Sequence, residues 1–224
     1  MAASKAYKIL GRLRKTFATP EWVKSKRDSF KTLIVTIISQ NTADRNAAKA
    51  FENLSKQFEI RPEALANAEI GQIEQCLKTA GLYRNKAKTI KQVSRRILEE
   101  FNGDLDQILS LPLEEARNTL MQFPGIGPKT ADVVLLFSSK RRTIPVDTHV
   151  DRVAKRLGLA PLNGDYDAVR ESLQSLYDPK DYLAVHVLLI AHGRKYCKAR
   201  KPLCKDCPLC AFCPSRQALC DQDD

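Results

Sequence analysis

Phe123-Pro124-Gly125-Ile126-Gly127-Pro128-Lys129-Thr130-Ala131-Asp132-Val133-Val134, followed by Val146-Asp147-Thr148-His149, is the stretch on which the reading of this chain turns. The first five residues read as a tight turn, because Gly125 and Gly127 can take positive φ and leave backbone N–H groups uncovered. Pro128 suits the first position of a helix that runs from Lys129 to about Phe137. The amides and positive dipole end of that helix point back at the turn and form an anion site, with phosphate as the expected anion. Lys129 is an ammonium placed against the dipole, so its pKa is expected to fall, and a neutral amine is a nucleophile. Asp147 stands where a second helix begins. A carboxylate there is an N-cap, and it can also take a proton or stabilise a developing positive charge.

These residues, together with Ile37-Ile38-Ser39-Gln40-Asn41-Thr42, resemble the helix-hairpin-helix signature of the endonuclease III family of DNA glycosylases. The likeness runs from that segment to the last cysteines. It implies Lys129 and Asp147 as the catalytic pair, with Gly125, Ile126, Gly127 and Thr130 on the DNA backbone. By the same resemblance Gln40 fills the gap left by an extruded nucleotide, and Leu82 wedges into the opposite strand. Leu82 reads equally well as a core leucine. His149 is either a phosphate contact or an ordinary helix-face histidine, and His186 and His192 read as structural. Pro128, Asp132 and Met121 depart from what bacterial members carry at these places, which bears on substrate range more than on the reaction.

Seven cysteines occur, and all but Cys76 lie between Cys197 and Cys220. With no apolar signal peptide at the N-terminus, a reducing cytoplasm and metal ligation are the expected readings. Cys197, Cys204, Cys207 and Cys213 make C-x6-C-x2-C-x5-C, the spacing that in the resembled family holds one [4Fe-4S] cluster; thiolate-only ligation also suits zinc. Cys204, Cys207, Cys210 and Cys213 form a denser rival run. The family pattern favours Cys197 and leaves Cys210 spare. Between the first two ligands, Lys198, Arg200 and Lys201 are either a solvated face or, as the resemblance implies, cations that a ligated loop presents to DNA phosphate.

Lys plus Arg number 37 against 26 Asp plus Glu, a formal charge of +11, which points to a polyanionic partner. With 43% hydrophobic residues the chain can bury a core without disulfides. No apolar run reaches the ~20 residues that a membrane helix needs. Ile9, Leu10, Leu13 and Phe17 recur at helical spacing, as do Ile90, Val93, Ile97 and Phe101. Leu33 to Ile38 is continuously apolar and strand-like by residue type, though its flanks favour a buried helix. Helix starts are expected at Asn41 with Asp44, Pro62, Pro112 and Tyr166-Asp167, and stops at Gly81, Gly103 and Gly158. No hairpin-joined alternating segments appear, so the fold is expected to be all-α.

The resemblance implies two lobes: a central helical bundle over 22–140, from Trp22 to Lys140, and a lobe of 1–21 with 141–216 carrying the cluster loop 197–213. Residues 217–224 read as a frayed tail. The implied function is a monomeric base-excision glycosylase and abasic-site lyase. It removes oxidised pyrimidines from duplex DNA through a Lys129 Schiff base and breaks the strand 3′ to the abasic site. The alternatives are a monofunctional glycosylase acting on mismatched thymine, uracil or adenine, which would activate water, and a non-catalytic DNA-binding protein. Lysine at 129 argues against the first and retention of both Lys129 and Asp147 against the second.

Overall fold

The computed structural model describes residues 2–18, 28–139 and 141–216. Among these the chain is all-α, with twelve α-helices and no strand. It divides into two compact units, Lys26–Arg141 and Met1–Ser25 with Arg142–Asp224. The lobe boundaries expected at Trp22 and Lys140, the tail 217–224 and Cys220 fall outside the described residues.

The unit Lys26–Arg141 is built around α2 (Ser29–Ser39), whose Leu33, Ile34, Ile37 and Ile38 are fully buried. This strand-like run folds as a helix because Asp28 caps it, its carboxylate accepting from Lys31 N at 2.7 Å. The Thr32 and Thr36 hydroxyls donate back to the carbonyls of Asp28 and Thr32 and are satisfied within the helix. Around α2 lie α3 (Asp44–Gln57), α4 (Pro62–Asn67), α5 (Ile70–Leu77), α6 (Tyr83–Glu100), α7 (Asp106–Ser110), α8 (Leu113–Met121) and α9 (Pro128–Ser139). Long α6 packs on α4 and α5 through Ala87, Ile90, Val93 and Ile97, while α2 packs on α9. Gly103, at φ 76°, ends α6 by donating to Ile97 O at 2.9 Å. Asp132 is wholly buried in α9 and paired with Arg117 of α8, Nε to Oδ2 at 3.3 Å. Asp132, one of the departures noted in the sequence, thus forms an internal ion pair between the two hairpin helices.

The other unit consists of α1 (Ala2–Thr16), α10 (Thr148–Arg156), α11 (Tyr166–Leu176), α12 (Tyr182–Lys195) and a loop of turns that carries the cysteines. Asp165 caps α11, accepting from Ala168 N at 2.9 Å. α10 crosses α12 closely because residue 193 is glycine; a Cβ there would meet His149 Cβ at 3.0 Å. α1 is tied on by Arg14 to the buried Asp181 at 2.6 Å and by Lys5 Nζ donating to Leu157 O at 2.7 Å. Among the described residues no helix is long and apolar enough to cross a membrane.

Candidate active site and nucleic-acid interface

In the unit Lys26–Arg141 the site is the turn between α8 and α9. Phe123 and Ile126 are buried and anchor it, with Ile126 N donating to Phe123 O at 3.2 Å. Arg96 of α6 holds its near end, donating Nη1 to Gln122 O at 2.7 Å and lying 4.7 Å over the Phe123 ring. Gly125 has φ 73°, and a Cβ there would meet Thr89 Cγ2 and Oγ1 at 3.0 Å, so both conformation and space require glycine. Gly127 differs from expectation. Its φ is not positive and a Cβ would meet nothing within 4 Å. It precedes Pro128 and accepts the first bond of α9, from Ala131 N at 3.1 Å, so its bareness leaves access and supplies no special turn.

Lys129 is exposed in the first turn of α9. Ile126 and Thr130 are both buried; the Thr130 N–H in the first turn of α9 is open to a phosphate, while the Ile126 N–H is already given to Phe123 O. The Thr130 hydroxyl is occupied by Gln40, whose Nε2 donates to it at 3.2 Å and to Gly125 O at 3.1 Å. The side chain of the gap-filling candidate thus rests on the hairpin itself. Leu82 is 61% exposed, which overturns the core-leucine alternative. It sits before α6 in the left-handed region, φ 57° and ψ 33°, which costs a non-glycine residue about 1–2 kcal/mol. Strained backbone of this kind clusters at active sites and ligand clamps.

In the other unit Asp147 is the N-cap of α10. Its Oδ1 accepts from both His149 N at 2.9 Å and Val150 N at 2.8 Å, and Oδ2 has no partner among the described residues. His149 is half-buried against Gly193, and its Nδ1 lies 3.1 Å from Arg152 Nη2. Burial, then the cations Arg152 and Arg194, hold its pKa below the ordinary value against the opposing pull of Asp147. His186, buried, has Nδ1 2.9 Å from Pro145 O and so supports the strand of chain leading to Asp147.

The segment starting at Cys197 is gripped by two α10 arginines that the sequence reading did not single out. Arg152 Nε donates to Cys197 O at 2.9 Å, and Arg156 Nη1 donates to Lys198 O at 2.7 Å and approaches Cys197 Sγ at 3.5 Å. Their signal was their i, i+4 spacing one and two turns beyond Asp147. Lys198, Arg200 and Lys201 are exposed, so the backbone they stand on is fixed while their charges face solvent. Cys197, Cys204, Cys207, Cys210 and Cys213 all line one pocket with Arg156, His192 and Tyr196. Among the described residues no three His, Cys, Asp or Glu side chains close around a single-ion site. Burial pushes the Cys207 thiol up to about 11 and raises Cys213 as well. His192, read from sequence as merely structural, lies in this pocket with Nε2 3.6 Å from Cys207 Sγ, and burial pushes it down to about 4.

Residues 34–179 match the family described as HhH-GPD superfamily base excision DNA repair protein. Endonuclease III of Sulfolobus acidocaldarius is 40% identical over 188 residues, 84% of this chain and 82% of its own. Endonuclease III of Escherichia coli K12 is 33% identical over 219 residues, 98% of this chain and 99% of its own. Among solved structures, a trapped endonuclease III–DNA covalent intermediate superposes with a TM-score of 0.84 at 29% identity, covering 96% of this chain and 97% of that one. The helical fold, the hairpin with its lysine and these matches together place the chain in the HhH-GPD superfamily of base excision DNA repair proteins, as a member of the endonuclease III family.

Proposed function

We propose that this protein is a bifunctional DNA glycosylase and abasic-site lyase that removes oxidised pyrimidines from duplex DNA. The damaged nucleotide is extruded from the stack. The Lys129 amine attacks the anomeric carbon, the carbon–nitrogen bond to the base breaks, and Asp147 assists by accepting a proton or stabilising the positively charged sugar. The base leaves with the bond's electron pair and is protonated. The amine sheds a proton, the ring bond between the anomeric carbon and the ring oxygen opens with that oxygen taking up a proton, and the resulting open-chain iminium acidifies the neighbouring sugar proton; loss of that proton expels the 3′ phosphate by β-elimination. The observation that carries this reading is an exposed lysine in the first turn of α9, beside an open glycine turn, in a chain related over most of its length to endonuclease III.

Gly125, Gly127 and Thr130 offer backbone N–H groups to a phosphate on a turn that Ile126 seats, and Lys198, Arg200, Lys201 and His149 extend the contact. Gln40 fills the space vacated by the extruded nucleotide, and Leu82 wedges into the opposite strand. Cys197, Cys204, Cys207 and Cys213 would hold a [4Fe-4S] cluster, and Cys210 stays unligated. The donor set fits: five thiols surround one pocket, and burial that disfavours thiolates is offset when a metal's positive charge lies among them. When bound, the cluster supplies cross-links that stiffen the loop bearing the three cations. The protein acts on chromosomal DNA in the cytoplasm.

Incubation with a duplex carrying one oxidised pyrimidine, followed by a denaturing gel without alkali, tests the assignment. Strand breaks bearing the unsaturated sugar left by β-elimination are expected. Abasic sites that break only after alkali would make the protein a monofunctional glycosylase.

A further inference from the structure

Lys86 lies in the first turns of α6, and its side chain is buried: the residue is 4% exposed. Its Nζ donates to Ile38 O at 2.7 Å and, in a short bond, to Thr42 Oγ1. Both acceptors are neutral, and no carboxylate pairs with this lysine among the described residues. Burial accordingly shifts its pKa down. A buried cation without a counter-charge is a poor stabilising device, and an apolar side chain of similar volume commonly does as well or better.

What Lys86 touches gives the reason for its presence. Ile38 and Thr42 flank Gln40 on either side, and the Thr42 hydroxyl in turn donates to Gln40 O at 3.1 Å. Through its own backbone N, Lys86 donates to Leu82 O at 3.1 Å, closing the turn that presents Leu82. The two loops also meet directly, since a Cβ on Gly81 would lie 3.4 Å from Asn41 O. Each loop contains a left-handed non-glycine residue: Asn41, next to Gln40, at φ 49°, and Leu82 itself at φ 57°. One lysine therefore joins two strained turns that carry the two candidates for entering the duplex, half-buried Gln40 and exposed Leu82.

We propose that Lys86 is a positioning residue that fixes Gln40 and Leu82 as one rigid pair, so that base extrusion, and not the amine chemistry, depends on it. This rests on the glycosylase–lyase reading above. The expected signature is a split between two activities. Removal of an oxidised pyrimidine requires the nucleotide to be displaced and its place filled, whereas an abasic site has no base to unstack.

The test compares wild type with Lys86→Met in single-turnover base removal and in cleavage of a preformed abasic site, with thermal unfolding followed in parallel. Lys86→Met is expected to melt within a few degrees of wild type, to lose base removal about tenfold or more, and to lose abasic cleavage less than about threefold. In a Gln40→Ala/Leu82→Ala background the same substitution is expected to add little, because its effect runs through those two side chains. Unchanged base removal in a folded variant, equal loss of both activities, or multiplicative losses in the combined variant would overturn the proposal. If Lys86→Met does not fold, Thr42→Val removes one of the two acceptors and must give the same split in milder form; its absence overturns the proposal too. A wild-type protein with neither activity would instead refute the functional reading on which this rests.

Discussion

The Asp147 carboxylate caps α10 through Oδ1 alone, accepting from His149 and Val150, which leaves Oδ2 for chemistry. Capping and catalysis are therefore separable by substitution. Asn is as good a cap as Asp, so Asp147→Asn is expected to keep stability within about 0.5 kcal/mol, whereas Asp147→Ala loses about 1 kcal/mol. Both are expected to lower single-turnover base removal by about 10²-fold or more. Thermal unfolding and single-turnover kinetics on the same preparations check this, and a fully active Asn variant would reduce Asp147 to a cap. The cap was legible in the sequence because it depends on residue type and a helix start. The burial of Thr130 and the exposure of Leu82 were not, since each is decided by which distant residues pack nearby. For Lys86 a signal existed: it shares helical phase with Ile90, Val93 and Ile97, at i, i+4, i+7 and i+11, and so stands on the buried face of α6.

At the scale of the element, the hairpin and the cysteine loop separate conformation from chemistry. Gly125→Ala meets both a positive φ and the Thr89 side chain at 3.0 Å. It is expected to destabilise the protein by about 1–3 kcal/mol, through left-handed strain and crowding. Gly127→Ala meets neither obstacle and is expected to change stability by less than about 0.5 kcal/mol, yet to weaken duplex binding by covering backbone that approaches phosphate. Melting curves paired with binding titrations distinguish the two; equal destabilisation would mean that Gly127 also has a conformational role. In the cysteine loop the structure leaves five thiols around one pocket, so ligand choice is read from variants. Cys197→Ser is expected to abolish iron content and visible absorption, and Cys210→Ser to retain both. The reverse result would assign the denser C-x2-C-x2-C-x2-C run as the ligand set.

Across the whole molecule, helical periodicity was enough to read an all-α fold, because the phase of apolar residues is a local property of the chain. The run Leu33 to Ile38, ambiguous by residue type, was decided by its flanks, where Asp28 supplies the cap. How the chain groups into units could not be read from periodicity. The unit of Met1–Ser25 with Arg142–Asp224 gathers α1 with α10 to α12, sequence-distant pieces joined by contacts such as the bond that Tyr177 Oη donates to Ala6 O at 3.2 Å. The +11 charge and the hairpin both point to DNA, but neither distinguishes a binder from an enzyme; a covalent step does. The deciding measurement is borohydride reduction of the protein mixed with duplexes carrying an abasic site or an oxidised pyrimidine, with Lys129→Gln alongside. Wild type is expected to form a stable covalent complex with both duplexes, and Lys129→Gln with neither. Base release by a wild-type protein that forms no complex would contradict the amine mechanism and leave Lys129 as a phosphate contact.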